Sequence, residues 1–230
     1  MTGTLYGIGV GPGDPDLITL KAIKILQQVD IVAVPESKKE LGSTALDIAR
    51  PHLKADVDML TLTFPMTRDV EKRLHSRREN ARLIAEQINQ GKNVAFLTLG
   101  DPMLYSTFQY VMEHVAAEGI SCESIPGIYS FNAISNSLNL PLVAGDERLA
   151  VICDLDSDSW AAVQHFDTVV CMKVSAYHEL LYKLLSNNAE WDFAMVTNAG
   201  KDSQQVTRDI ADLTTDVHYF STVILTKRKK

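Results

Sequence analysis

Two glycine-rich turns carry the residues best suited to chemistry. The first, Gly7-Ile8-Gly9-Val10-Gly11-Pro12-Gly13-Asp14-Pro15, leaves an apolar run and enters an amphipathic one. Glycine lets the backbone approach a ligand closely, and free N–H groups at a helix start suit a carboxylate or phosphate. The spacing is not the dinucleotide fingerprint GxGxxG, because the sixth position is Pro12 counted from Gly7 and Asp14 counted from Gly9. A dinucleotide oxidoreductase is therefore disfavoured. The second turn, Gly100-Asp101-Pro102-Met103-Leu104, repeats the Gly-Asp-Pro theme. In both, Asp suits a helix N-cap and Pro the first helical position. Any α/β chain needs such turns, so the pair carries more weight than either alone. Metal chemistry has less support. Cys122, Cys153 and Cys171 are far apart, no CxxC pair exists, and His52, His75, His114, His165, His178 and His218 form no close cluster. The thiols read as buried structural groups, and no protein-bound metal is expected.

The elements that must position these turns alternate along the first half. Apolar strand-like runs are expected at residues 5–10, 31–34 (broken by Pro35), 59–62, 94–99 and 122–125. Helices are expected over 16–29, 43–53, 69–90 and 105–118. Gly91 reads as a helix stop. Strands alternating with helices imply right-handed crossovers and a parallel sheet, whose carboxyl ends are where ligands bind. After Pro126-Gly127 a new series begins. Helices are expected over 129–138, 159–166 and 176–187, and strands over 149–153, 168–172, 193–197 and 217–225. Polar stretches at 154–159 and 201–212 make a mixed sheet the better expectation there. The boundary falls near Ile125–Ile128, giving an N-terminal α/β domain over 1–125 and a C-terminal one over 128–230.

Composition agrees with two folded domains. The 230 residues are 46% hydrophobic and 22% charged, which excludes a disordered or collagen-like chain. Lys+Arg number 22 against 29 Asp+Glu, a net charge of -7, so a nucleic-acid partner is not expected. The start lacks a basic segment followed by an apolar one, and no apolar run approaches the roughly 18 residues of a membrane span. A cytoplasmic protein without a membrane partner is expected.

Gly9-Val10-Gly11-Pro12-Gly13-Asp14-Pro15 with Leu20-Lys21-Ala22 resembles the opening motif of the tetrapyrrole (corrin/porphyrin) methylases. Leu97-Thr98-Leu99-Gly100-Asp101-Pro102 and Ile125-Pro126-Gly127-Ile128 follow in the family's order and spacing. Phe64-Pro65-Met66-Thr67 with Asp69, residues 95–107, residues 145–152 and Tyr219-Phe220-Ser221 look like the branch that methylates C-20 of precorrin-2 or cobalt-factor II. The uroporphyrinogen branch would carry a doubled glycine before Asp101, where Leu99 stands here.

The resemblance implies a two-domain fold, a mostly parallel N-terminal sheet and a mixed C-terminal one, with S-adenosyl-L-methionine in the cleft between them. It also implies a homodimer and a role in cobalamin (vitamin B12) biosynthesis. Carried across by position, Pro12 lines one side of the cofactor. Leu99, Gly100, Asp101 and Leu104 hold its methionine portion and ribose, and Tyr129 and Ser130 add polar contacts. Met172 and Ala199 contact the adenosine. Tyr129 stands where relatives often carry Thr, and residues 197–201 lack the usual acidic start.

A reduced tetrapyrrole is enamine-like and nucleophilic, so no covalent enzyme intermediate is needed. No catalytic residue is assigned. The acidic substrate calls for cations, and Lys21, Arg148 and Lys173 adjoin the motifs. The run Arg68, Lys72, Arg73, Arg77, Arg78 and Arg82, interleaved with Asp69, Glu71 and Glu79, reads as a solvated, salt-bridged helix. Two alternatives remain open. One is a methylase of the same family acting on a later corrin intermediate or a non-tetrapyrrole substrate; the other is a non-enzymatic S-adenosylmethionine sensor.

Overall fold

The computed structural model describes residues 2–36, 43–65, 67 and 69–228. The chain divides into two compact units, Met1–Tyr129 and Ser130–Lys230. In the first unit the strands are β1 (Thr4–Gly9), β2 (Ile31–Glu36), β3 (Asp58–Thr63), β4 (Val94–Thr98) and β5 (Ser121–Ile125). They form one sheet in the order β3-β2-β4-β1-β5, and every pairing is parallel. Helices α1 (Leu20–Leu26), α2 (Thr44–Ala49), α3 (Val70–Asn89) and α4 (Phe108–Ala117) connect the strands.

Burial on both faces explains the continuous apolar runs. Val94 and Phe96 of β4 join Leu5, Ile84, Ile88, Val111 and Val115 on one face. Ala95 and Leu97 join Ile8, Val32, Leu26 and Ile48 on the other. Phe96 is fully buried and meets the Phe108 ring at 5.6 Å; burying such a side chain contributes about 3 kcal/mol.

Four expectations change. Strand β2 continues through Pro35 to Glu36, because β4 pairs only with Ile31–Ala33 and leaves that edge without a demand for the missing N–H. The helix expected over 16–29 is divided. Asp14 caps a single 3-10 turn, Pro15–Leu17, and Thr19 caps α1 through the Ala22 N–H at 3.2 Å. The helix expected over 105–118 begins only at Phe108, after Tyr105 in the left-handed region at φ 50°. Asp101 therefore does not cap a helix and Pro102 does not open one.

The second unit carries α5 (Ser130–Ser137), β6 (Leu149–Ile152), α6 (Ser157–Val163), β7 (Thr168–Cys171), α7 (His178–Ser186), β8 (Trp191–Thr197), β9 (Gln205–Thr207) and β10 (Ser221–Lys227). Its sheet runs β6-β7-β10-β8-β9. Strand β6 is parallel to β7, whereas β10 is antiparallel to β7 and β8 and β9 is antiparallel to β8. The mixed sheet is thus observed, and β9 adds a strand inside the polar stretch 201–212. Trp160, Val163, Leu181, Leu185, Val223 and Leu225 build the core of this unit. No helix among the described residues is long and apolar enough to cross a membrane.

Candidate functional site

Parallel strands bring their carboxyl ends to one edge. In register, Gly9 lies beside Thr98 and Ile8 beside Ile125, so the segments after β1, β4 and β5 leave the sheet together. They then pack backbone on backbone. The Val10 N–H donates to the Thr98 carbonyl at 3.0 Å, and Gly11 and Gly100 exchange N–H···O bonds of 3.3 and 2.8 Å. A Cβ on Gly127 would lie 2.1 Å from the Gly100 oxygen and 2.8 Å from Gly9, and one on Gly9 would lie 2.5 Å from the Gly127 nitrogen. Only glycine permits this approach.

Asp101 ties two of these segments together, those after β4 and β5. It is 7% exposed. One carboxylate oxygen accepts the Met103 N–H at 2.8 Å and the other the Gly127 N–H at 3.0 Å. Bonds to a charged group contribute about 1.5–3 kcal/mol each. The aspartate expected to cap a helix instead ties the β4 loop to the β5 loop, 26 residues further on. Behind it, the buried Thr98 and Ser106 hydroxyls meet at 3.4 Å, and Ser106 accepts the Phe108 N–H at 3.0 Å. This arrangement starts α4 three residues later than the residue pattern predicts.

Pro12 is buried, and Leu99, Gly100, Leu104 and Tyr129 are half-buried around this edge. Burial, and then the Asp101 charge, pushes the Tyr129 phenol above its ordinary value. The first unit therefore brings Pro12, Leu99, Gly100, Asp101, Leu104 and Tyr129 to one set of loops. This edge offers backbone N–H and C=O groups and half-buried leucines, while both Asp101 oxygens are committed to backbone N–H groups.

Ser130, Met172 and Ala199 belong to the second unit. Strands β7 and β8 both oppose β10, so they run the same way, and Met172 and Ala199 follow their carboxyl ends. Lys173 and Asn198, just beyond, take left-handed conformations at φ 54°. The Tyr177 hydroxyl donates to the Met172 carbonyl at 2.8 Å, and the Asn198 N–H donates to the Phe220 carbonyl at 3.0 Å. Burial pushes the Tyr177 phenol upward, reinforced by Cys171, and lifts the Cys171 thiol to about 12. Ser130 opens α5.

Of the three candidate cations, Lys173 lies in the loop after β7, directly beyond Met172, whereas Lys21 and Arg148 sit apart. Lys21 pairs with Glu123 on β5 at 2.7 Å. Arg148 is exposed just before β6, its backbone N–H held by Asp167 at 2.8 Å. Sequence reasoning missed Tyr177, which reaches Met172 through a 3-10 turn at Val174–Ala176 that leaves no residue pattern. It also missed the mutual approach of Gly9 and Gly127, for which the glycines themselves are the signal. Among the described residues, no group of three His, Cys, Asp or Glu could hold a metal.

The family model of the tetrapyrrole (corrin/porphyrin) methylases matches residues 4–214. A relative from Methanocaldococcus jannaschii, named a probable cobalt-precorrin-2 C(20)-methyltransferase, is 37% identical over 88% of this chain and 85% of its own. The cobalt-precorrin-2 C(20)-methyltransferase of Salmonella typhimurium is 33% identical over 99% and 98%. The crystal structure of uroporphyrin-III C-methyltransferase from Thermus thermophilus, complexed with S-adenyl homocysteine, superposes with a TM-score of 0.70. It is 21% identical, with 97% of each chain covered. The fold matches, three glycine turns converge where the opening motifs predicted a ligand, and the family model spans nearly the whole sequence. The chain accordingly belongs to the tetrapyrrole (corrin/porphyrin) methylases.

Proposed function

We propose that the protein transfers a methyl group from S-adenosyl-L-methionine to C-20 of precorrin-2 or of cobalt-factor II, in cobalamin biosynthesis. The carrying observation is the 33% identity over 99% of the chain to a relative named for this reaction. The convergence of Gly9, Gly100, Asp101 and Gly127 into one backbone cradle supports it.

S-adenosyl-L-methionine supplies an electrophilic methyl on a sulfonium. Pro12, Leu99, Gly100, Asp101 and Leu104 hold its methionine portion and ribose, Tyr129 and Ser130 add polar contacts, and Met172 and Ala199 meet the adenosine. Asp101 acts mainly by shaping the loops, since both its oxygens already accept backbone N–H groups. The protein aligns the nucleophilic macrocycle carbon with the methyl group and excludes water; such alignment supplies roughly 7–11 kcal/mol of a bimolecular barrier. The same reading makes the protein a cytoplasmic homodimer without a nucleic-acid or membrane partner.

The test incubates purified protein with isotopically labelled S-adenosylmethionine and each macrocycle separately, alongside calorimetry of cofactor binding. Methyl incorporation into either macrocycle is expected. Binding without transfer to any tetrapyrrole would make the protein a sensor, and transfer only to another acceptor would move it elsewhere in the family.

A further inference from the structure

The cofactor loops follow β4, β1 and β5, so they leave the carboxyl end of β3 uncommitted at the far side of the same edge. That end lies two strand spacings from β4, about 10 Å, a distance comparable with the radius of a macrocycle carrying acidic side chains. A shallow depression, wide open to solvent and of about 500 Å³, lies there, lined by Thr63, Pro65, Glu71, Lys72, His75 and Ser76. We propose that Lys72 and His75, at the start of α3, form a subsite for the side-chain carboxylates of the tetrapyrrole. This placement rests on the methylase reading above.

Local charge favours an anion. Between residues 69 and 86, Lys72, Arg73, Arg77, Arg78 and Arg82 outnumber Asp69, Glu71, Glu79 and Glu86 by one, in a chain whose net charge is -7. Some of these cations are committed elsewhere. Arg77 stacks on the Tyr110 ring at 3.4 Å, and Arg82 is bonded to Glu79 and Glu86, which lowers the Glu79 carboxyl through the Arg82 hydrogen bond. Among the described residues, Lys72 pairs with Asp69 at 3.4 Å, an exposed ion pair that a ligand carboxylate readily replaces.

One wall of this depression, the helix, is anchored to the strand. Ser76 and Asn80 both donate to the Thr63 carbonyl, at 2.5 and 2.8 Å, and pin α3 to the end of β3. Lys72, Ser76 and Asn80 recur every four residues and share one helix face. The first turns of α3, which carry Lys72 and His75, are thereby held beside the sheet edge. The run read as a solvated helix thus has two parts: a salt-bridged half from Glu79 to Glu86, and a ligand-facing half around Lys72 and His75. Arg68 lies outside the described residues.

The test is steady-state kinetics of Lys72→Ala/His75→Ala, with a control variant, Lys24→Ala/Lys183→Ala, that removes two exposed cations on α1 and α7. The macrocycle KM is expected to rise about tenfold, the loss of one or two charge-assisted contacts. The S-adenosylmethionine Kd by calorimetry should be unchanged, and Lys72→Arg should retain the wild-type KM. An unchanged KM in the double variant, or an equal rise in the control, would overturn the subsite. A wild-type protein that methylates neither macrocycle would instead overturn the activity on which the placement rests.

Discussion

The two units solve the same problem, presenting loops at the carboxyl edge of a sheet, by different means. The first uses parallel strands only, so every strand ends at that edge, and glycine lets the loops touch backbone to backbone. The second places β10 antiparallel between β7 and β8, so the edge also receives the start of a strand. There the turns, among the described residues, lack such a glycine contact and combine backbone bonds, such as Asn198 N–H to the Phe220 carbonyl, with side-chain tethers: Tyr177 on the Met172 carbonyl at 2.8 Å, and Thr197 with Ser221 at 2.7 Å. A close backbone approach is rigid and intolerant of any added atom. A side-chain tether is worth about 1 kcal/mol and can be trimmed.

Breaking the first device should therefore cost most. Gly127→Ala forces a methyl against the Gly100 oxygen, 2.1 Å away, with only backbone on either side to yield. A destabilisation of about 3 kcal/mol is expected, together with at least a hundredfold loss of cofactor affinity. Thermal unfolding and calorimetry check this, and near-wild-type values for both would show that the loops are not locked. Tyr177→Phe tests the second device. It removes one hydrogen bond, so the cofactor Kd should rise about fivefold, with kcat nearly unchanged and the melting temperature lowered by a few degrees. A collapse comparable to that of Gly127→Ala would erase the contrast between the units. The smallest effect concerns reactivity. The Cys171 thiol, fully buried and lifted to about 12 by that burial, should resist alkylation at pH 8 until the protein is unfolded. Peptide mapping after a timed exposure to iodoacetamide reads the result, and rapid labelling of Cys171 would mean that the β7 end is open to solvent.

Much of this organisation can be read from residue order, because burial on both faces writes itself as unbroken apolar runs such as Val94–Thr98. The Gly-Asp-Pro turns likewise announce a ligand edge. What they do not announce is long-range geometry. Asp101 has the profile of a helix cap, yet its carboxylate reaches Gly127 across 26 residues, a partner that local pattern cannot supply. Tyr105 looks helical but takes φ 50°, and the Thr98–Ser106 contact delays α4. Pro35 reads as a strand break only if both edges of β2 are assumed to be paired. The basic face of α3 is solvent-facing and salt-bridged as the pattern suggests; what the pattern does not show is that Ser76 and Asn80 fasten the helix to Thr63.

The most direct test follows a carbon-labelled methyl group from S-adenosylmethionine into the macrocycle and locates it by nuclear magnetic resonance. A single new methyl at C-20 is expected, with no incorporation by Gly127→Ala. A methyl at any other position, or none in the presence of bound cofactor, would contradict the proposed activity.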